Sequence, residues 1–166
     1  MKPPRFWEIA AILAVLAILA FMFFPPTGYP KTLAKRSVCL SNLKRLSLAA
    51  NTYAVDFDER FPNRDSWWDA VYAYTKSQDV LICPIIFAEK NPQLYGYAFN
   101  GALSNAKAPP KPETIPLIFE SINLAKNASG DTNSTPNPGR HPHSATKLGC
   151  NNIGYADGHA KSVPVH

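Results

Sequence analysis

The sequence predicts an α+β protein, and three features of the chain support that prediction. The first is an apolar run without any polar residue over residues 9–24, which predicts a helix. The second is a set of apolar residues at helical spacing between Cys39 and Phe57. The third is Asp157-Gly158 between two short alternating runs, which is typical of a β-hairpin with a type I′ turn. With 166 residues, the chain has room for one such domain and an N-terminal anchor.

The N-terminal apolar run predicts a membrane anchor. Residues 6–24 are mostly apolar, and as a helix they would span about 28 Å, close to the hydrocarbon thickness of a bilayer. A cleaved secretory signal is the alternative, but the bulky residues before Pro25 make a poor cleavage site. Lys2 and Arg5 precede the run, which favours a cytoplasmic N-terminus and places the following domain outside the cytoplasm.

Glu8 is the one acidic residue near the start of this run. A carboxylate at the middle of a membrane costs roughly 2.5–3.5 kcal/mol on insertion scales, and less near the edge. Two interpretations remain open from composition alone. Glu8 lies idle among lipid headgroups beside Arg5, or it meets a positive group when several such helices bundle.

The rest of the chain divides into elements of different composition. Proline and glycine in residues 25–30 predict a break after the anchor, because proline interrupts a helix. The predicted elements that follow are an amphipathic helix (31–60), a second helix (66–76), strands within 80–120 (80–83, 95–99 and 115–120), a polar loop (121–150) and a hairpin (151–165).

Composition and motifs argue against several functional classes. The net charge of +5 comes from scattered basic residues, which does not favour nucleic-acid binding. No catalytic motif of a familiar class is present, so the sequence predicts no enzymatic activity. No cofactor is predicted, although a divalent cation is a weak possibility because four residues near the C-terminus carry suitable ligand atoms. These candidates are His141, His143, Asp157 and His159.

Several motifs together resemble those of bacterial type IV prepilin-like and type II secretion pseudopilin-like proteins, in the subgroup whose domain ends in a His…Asp-Gly motif. Glu8 is followed by Pro25 seventeen residues later. The matching segments are "CLSNLK" (39–44), "YAVDFDERFP" (53–62), "LICP" (81–84) and "NIGYADGHAKSV" (152–163). The resemblance covers the N-terminal third of the chain and its last fifteen residues.

This resemblance implies a pilin-like fold, in which a long N-terminal transmembrane and amphipathic helix packs on a small antiparallel β-sheet. It also implies a structural function, as a subunit of a pilus-like filament or secretion pseudopilus. The apolar helices would bundle with those of other copies and of other pilins, and Glu8 would pair with the N-terminal amine of a neighbour. The implied location is the bacterial inner membrane, or an extracellular filament after assembly.

The resemblance also suggests roles for residues of the domain. A disulfide between Cys39 and Cys83 would join the long helix to the sheet, and pairings with Cys150 remain open. His143, Asp157 and Gly158 correspond to the C-terminal motif, and Asp157-Gly158 has a sufficient structural reason as a turn. Related major pseudopilins bind calcium in a C-terminal loop, which keeps a cation under consideration.

The chain departs from the family pattern in two places. The family cleavage site is a glycine before a phenylalanine, and here Pro3, Pro4 and Arg5 occupy that region. Thirteen residues separate His143 from Asp157, where the family has nine. The missing cleavage glycine favours an alternative function, a non-polymerising, membrane-tethered binding domain outside the cytoplasm.

Overall fold

The structure is a computed structural model that describes residues 5–23, 31–87, 95–143 and 146–165. The chain forms two compact units, Met1–Pro30 and Lys31–His166. The predicted break at residues 25–30, including Pro25, lies outside the described residues. The helices are α1 (Phe6–Phe23), α2 (Lys31–Asp56), α3 (Trp67–Thr75) and α4 (Pro84–Phe87). The strands are β1 (Tyr97–Asn100), β2 (Pro116–Glu120), β3 (Ser129–Gly130), β4 (His141–His143), β5 (Thr146–Tyr155) and β6 (Ala160–Pro164).

Helix α1 corrects the predicted transmembrane segment. Among the described residues, no helix combines the length and apolar character needed to cross a membrane. Helix α1 has 18 residues, which is fewer than the roughly 20 apolar residues typical of a spanning helix. Its first turn also contains the charged Glu8. The prediction of a long transmembrane helix is therefore wrong for the part of the chain that the structure describes.

The sheet is mixed, which corrects the prediction of an antiparallel sheet. Its strand order is β3-β1-β2-β5-β4, with β6 also paired to β5. Strand β3 runs parallel to β1, with Phe99 opposite Ser129, and the other described pairs are antiparallel. After β2 the chain crosses back past β1, so that β3 runs in the same direction as β1. A two-residue strand in a polar segment has no alternating pattern by which it could be predicted.

Helix α2 covers one face of this sheet with the apolar stripe expected from its sequence. Cys39, Leu43, Leu46 and Ala50 are fully buried or nearly so. Gly154 on β5 permits this close packing, because a Cβ there would collide with Ser47 Oγ and lie 3.1 Å from the Leu43 carbonyl oxygen. The helix ends at Asp56, four residues before the predicted end. Asp58 and Glu59 then adopt left-handed backbone conformations, so Asp56, Asp58 and Glu59 lie at an exposed helix exit.

Helix α3 closes one end of the core with two tryptophans. Trp67 is completely buried and Trp68 almost so. The indole N–H of Trp67 donates a hydrogen bond of 2.9 Å to the Ala128 carbonyl oxygen. A buried indole needs such a partner, so this bond fixes the position of α3 relative to the segment before β3.

Three predicted elements differ in detail from the observed ones. Residues 80–83, predicted as a strand, lie in and just after a 3₁₀ turn at Gln78–Leu81. The predicted loop over 121–150 contains β3, β4 and the first half of β5. The hairpin β5–β6 pairs Gly154 with Ala160, but its turn is not type I′, because only Gly158 has a positive φ. The Asp157 side chain instead accepts a hydrogen bond from the His159 backbone N–H.

Candidate metal centre

Four side chains from different parts of the domain converge in its interior. They belong to Cys39 on α2, Cys83 just before α4, Glu120 at the end of β2 and His141 at the start of β4. Each offers a metal-ligand atom, and these four atoms all lie within 4.8 Å of one another. All four residues are at most 1% exposed. The cluster therefore contains two sulfur, one oxygen and one nitrogen ligand in a space closed to solvent.

The secondary structure brings these residues together for simple reasons. Cys39 is on the buried stripe of α2. Side chains alternate along a strand, so Glu120 points to the same face of β2 as the buried Ile118, which is the face that α2 covers. His141 is paired with Cys150 in the β4–β5 register, and this pairing places it beside the end of β2.

Glu120 is held by hydrogen bonds to His141 and Asn152. His141 Nε2 lies 2.6 Å from Glu120 Oε1. The backbone N–H of Asn152 donates to Oε2 at 2.8 Å, and the Asn152 side-chain amide donates to Oε1 at 3.3 Å. The same amide nitrogen also donates to the Arg36 carbonyl oxygen on α2 at 3.3 Å. A buried carboxylate is costly unless it is paired. Here β4 and β5 supply the partners of Glu120, and α2 holds the Asn152 side chain that makes one of these bonds.

The two cysteines form the other half of the cluster. Their sulfur atoms lie 2.7 Å apart in a fully buried position, and both cysteines are unbridged thiols in this structure. The hydrogen bond between them lowers the pKa of Cys83 to about 7 and raises the pKa of Cys39 far above its ordinary value. The structure thus brings together the pair predicted to form a disulfide, and the bond itself stays a prediction.

Two buried polar atoms lie beside the cluster. Among the described residues, the Tyr97 hydroxyl has no nitrogen or oxygen partner and faces the Cys39 thiol, and Nδ1 of His141 has no partner. Burial raises the pKa of Tyr97 well above its ordinary value, so this hydroxyl keeps its proton at neutral pH. Native interiors rarely leave such atoms unsatisfied. Their presence at one place indicates a site suited to a further binding partner.

Arg140 lies at the edge of the cluster. Its guanidinium donates hydrogen bonds to the carbonyl oxygens of Gly96 at 2.7 Å and Ser121 at 2.5 Å. Its positive charge also favours the thiolate form of Cys83 and helps to lower the pKa of that thiol. The guanidinium therefore supplies a fixed positive charge beside the sulfur and carboxylate ligands.

Of the four histidine and aspartate candidates predicted from the sequence, only His141 belongs to this cluster. Among the described residues, His143, Asp157 and His159 do not converge with it on a common point. His159 Nδ1 instead lies 2.6 Å from Asp157 Oδ1, and its ring stacks on Tyr155 with a centroid distance of 4.3 Å. Gly158 packs against α2, where an added Cβ would lie 2.8 Å from Leu48 Cδ2. Asp157 and Gly158 are therefore turn residues.

Sequence reasoning missed Glu120 and assigned Cys39 and Cys83 to a disulfide alone. Glu120 follows the apolar run of β2, where an ionisable residue is unusual. An isolated acidic residue at the end of an apolar strand could have indicated Glu120 as a buried functional residue. Its convergence with His141 depends on the β4–β5 register and had no signal in the sequence.

The N-terminal candidates lie in the other unit. The backbone N–H of Arg5 donates a hydrogen bond of 3.0 Å to Glu8 Oε2. Glu8 is the third residue of α1, so this contact is the glutamate half of a capping box. Pro25, the third residue predicted to act in assembly, lies outside the described residues.

Comparison with known proteins identifies no family for this chain. No protein-family model matches it, and no curated protein or solved structure matches it. The resemblance to pilin-like proteins therefore stays a prediction from sequence motifs.

The hydrogen bonds around Glu120 lead to a stability prediction. In reduced, chelator-treated protein, Glu120→Gln should lower the free energy of unfolding by about 1–3 kcal/mol. The glutamine amide nitrogen is a donor, and it would replace a carboxylate oxygen that accepts a hydrogen bond from a buried donor. Urea denaturation of the full chain measures this. The control is Glu59→Gln, which removes an exposed ion pair with Lys107 and should cause no measurable change. Equal stability of the Glu120→Gln variant and the parent would contradict the assigned role.

Proposed function

We propose that this chain is a structural subunit of a pilus-like filament or secretion pseudopilus, and that it assembles through helix α1. The observation that carries the proposal is that α1 is apolar on all sides. Its large side chains are exposed around the whole circumference of the helix, as a subunit interface requires. These are Phe6, Trp7, Ile9, Ile12, Leu13, Val15, Leu16, Ile18 and Leu19.

A helix that is hydrophobic all round is stable only where something covers it. The second unit of the chain already has its own hydrophobic core, built from α2, α3 and the sheet. Burial of α1 between several copies would remove this apolar surface from water, which is a strong driving force for association. The sequence motifs shared with pilin-like proteins favour the same partner, namely further copies of this chain and other pilins.

The alanines of α1 are compatible with close contact between helices. Ala10, Ala14 and Ala17 recur at spacings of four and three, so they share one side of the helix. Small residues on one side let two helix backbones approach closely. Where neighbouring helices lie farther apart, the larger residues around the rest of the circumference would fill the space between them.

Glu8 has a second possible role besides capping. Among the described residues it accepts one hydrogen bond, from the Arg5 N–H, which leaves acceptor positions available, since an ionised carboxylate has about four. A positive group of a neighbouring copy would find them at the end of an otherwise apolar helix. Such a contact would set the register of packed helices, as a lone polar group does in other helical assemblies.

The exposure of α1 predicts that a charge in its middle prevents assembly. Val15→Lys should reduce the yield of filaments by more than about tenfold, because burial of an unpaired ammonium costs several kcal/mol and about 1.4 kcal/mol is a factor of ten. The measurement is electron microscopy and sedimentation of material sheared from cells that make the full chain. The control is Val55→Lys, the same change at a valine of α2 that is 80% exposed, which should assemble normally.

Normal assembly of the Val15→Lys variant would exclude α1 as the interface. Dispersed single copies of the parent chain would contradict the filament proposal and favour the tethered binding domain.

Two variants of Glu8 separate its charge from its capping bond. Glu8→Gln keeps an acceptor for the Arg5 N–H, since glutamine also occupies this capping position, whereas Glu8→Ala removes the bond as well. If the charge sets the register, both variants lose filaments in the same shearing assay. Assembly by Glu8→Gln, together with its loss in Glu8→Ala, would show that Glu8 acts only as a helix cap.

A further inference from the structure

We propose that Cys39, Cys83, Glu120 and His141 bind one Zn²⁺ ion as a closed structural site. The proposal concerns only the domain from Lys31 onward and does not depend on assembly through α1. It rests on the convergence of four ligand atoms within 4.8 Å and on the complete burial of the side chains that carry them.

The ligand set matches the chemistry of zinc. Structural zinc sites are four-coordinate and tetrahedral, with cysteine sulfur, histidine nitrogen and sometimes carboxylate oxygen as ligands. Calcium and magnesium prefer oxygen ligands alone, so the two sulfurs argue against them. Among the common divalent ions, zinc is therefore the one that suits this combination best.

The spacing of the four atoms is compatible with a single ion. In a tetrahedral site with metal–ligand distances of about 2.0–2.3 Å, neighbouring ligand atoms lie about 3.3–3.8 Å apart. Two pairs of atoms in the cluster are closer together than this range. Cys39 Sγ lies 2.7 Å from Cys83 Sγ, His141 Nε2 lies 2.6 Å from Glu120 Oε1, and no pair is farther apart than 4.8 Å. Binding of the ion would therefore require the members of each close pair to move apart by about 1 Å.

A disulfide would account for only two of the four ligand atoms. It would use the two sulfurs, and Glu120 and His141 would remain buried beside it as a polar pair in an apolar core. Among the described residues, His141 Nδ1 would also remain without a partner. A cation accounts for the carboxylate and the imidazole at the same point, and it gives the Tyr97 hydroxyl a thiolate to which it can donate.

The charges near the cluster fit a zinc ion with these ligands. Two thiolates and one carboxylate around Zn²⁺ leave a net charge of −1. The Arg140 guanidinium, fixed by the carbonyl oxygens of Gly96 and Ser121, supplies a compensating positive charge beside Cys83. The hydrogen bonds from Asn152 orient Glu120, as outer partners commonly orient metal-binding carboxylates.

With four protein ligands, the site would have no open position for a substrate. Its effect would be to join α2, the segment before α4, β2 and β4 at one point. These elements are distant in sequence, so the unfolded chain does not hold the four ligands together. The ion would therefore bind the folded domain and stabilise it by mass action.

The test is zinc binding by the full chain, kept reduced throughout. Purified protein should contain about one zinc per chain by elemental analysis. Addition of Zn²⁺ to chelator-treated protein should raise Tm by roughly 5–10 °C at free zinc about 100-fold above Kd. Co²⁺ in place of zinc should give the near-ultraviolet absorption of sulfur-to-cobalt charge transfer and the visible bands of a tetrahedral site.

The chain provides a matched control for a cysteine ligand. Cys83→Ser should bind no zinc, whereas Cys150→Ser should bind it as the parent does. Cys150 is as completely buried as Cys83, and its sulfur lies 3.9 Å from the Pro142 carbonyl oxygen and outside the cluster. If Cys83→Ser does not fold, the cobalt spectrum of the parent chain still reports whether thiolates bind the metal.

Three results would overturn the proposal. One is reduced parent protein that binds no zinc and shows no change in Tm. The second is equal loss of zinc in the Cys83→Ser and Cys150→Ser variants. The third is protein isolated without reductant that lacks zinc and has the mass of a chain with a Cys39–Cys83 disulfide, and that takes up no zinc after reduction.

Discussion

The carboxylate of Glu120 is the constraint around which the folded domain is arranged. A carboxylate in a protein interior is stable only where donors or a cation surround it. Here Glu120 is hydrogen-bonded to His141 on β4 and accepts a hydrogen bond from the backbone N–H of Asn152 on β5, and the Asn152 side chain also reaches the backbone of α2. If the strands paired in another register, this buried carboxyl group would lose its partners, so Glu120 specifies how the helix and the sheet fit together.

The two units of the chain bury apolar surface in different ways. The domain from Lys31 onward packs α2 and α3 on the sheet and encloses a polar cluster at the centre of its core. Helix α1 has no such partner among the described residues of its own unit, and its large apolar residues are exposed. The two proposals are compatible, because the metal site would stabilise the interior of the domain and the helix would bind other copies.

Regular patterns made part of this structure predictable from the sequence. The stripe from Cys39 to Ala50 identified the buried face of α2, and the runs around Asp157-Gly158 identified the β5–β6 hairpin. The parallel pairing of β3 was not predictable, because two residues have no periodicity and long-range pairing decides their direction. The cluster was predicted only in part, since Cys39 and Cys83 were paired but Glu120 and His141 meet through strand register alone. The predicted transmembrane helix was wrong, because no helix among the described residues is long and apolar enough to cross a membrane.

X-ray absorption at the zinc edge tests the central claim most directly, because it reports the atoms bound to the metal in the zinc-loaded full chain. The cluster predicts two sulfur neighbours at about 2.3 Å and two nitrogen or oxygen neighbours at about 2.0–2.2 Å. A first shell of nitrogen and oxygen alone would contradict the account, since zinc would then be bound elsewhere on the protein.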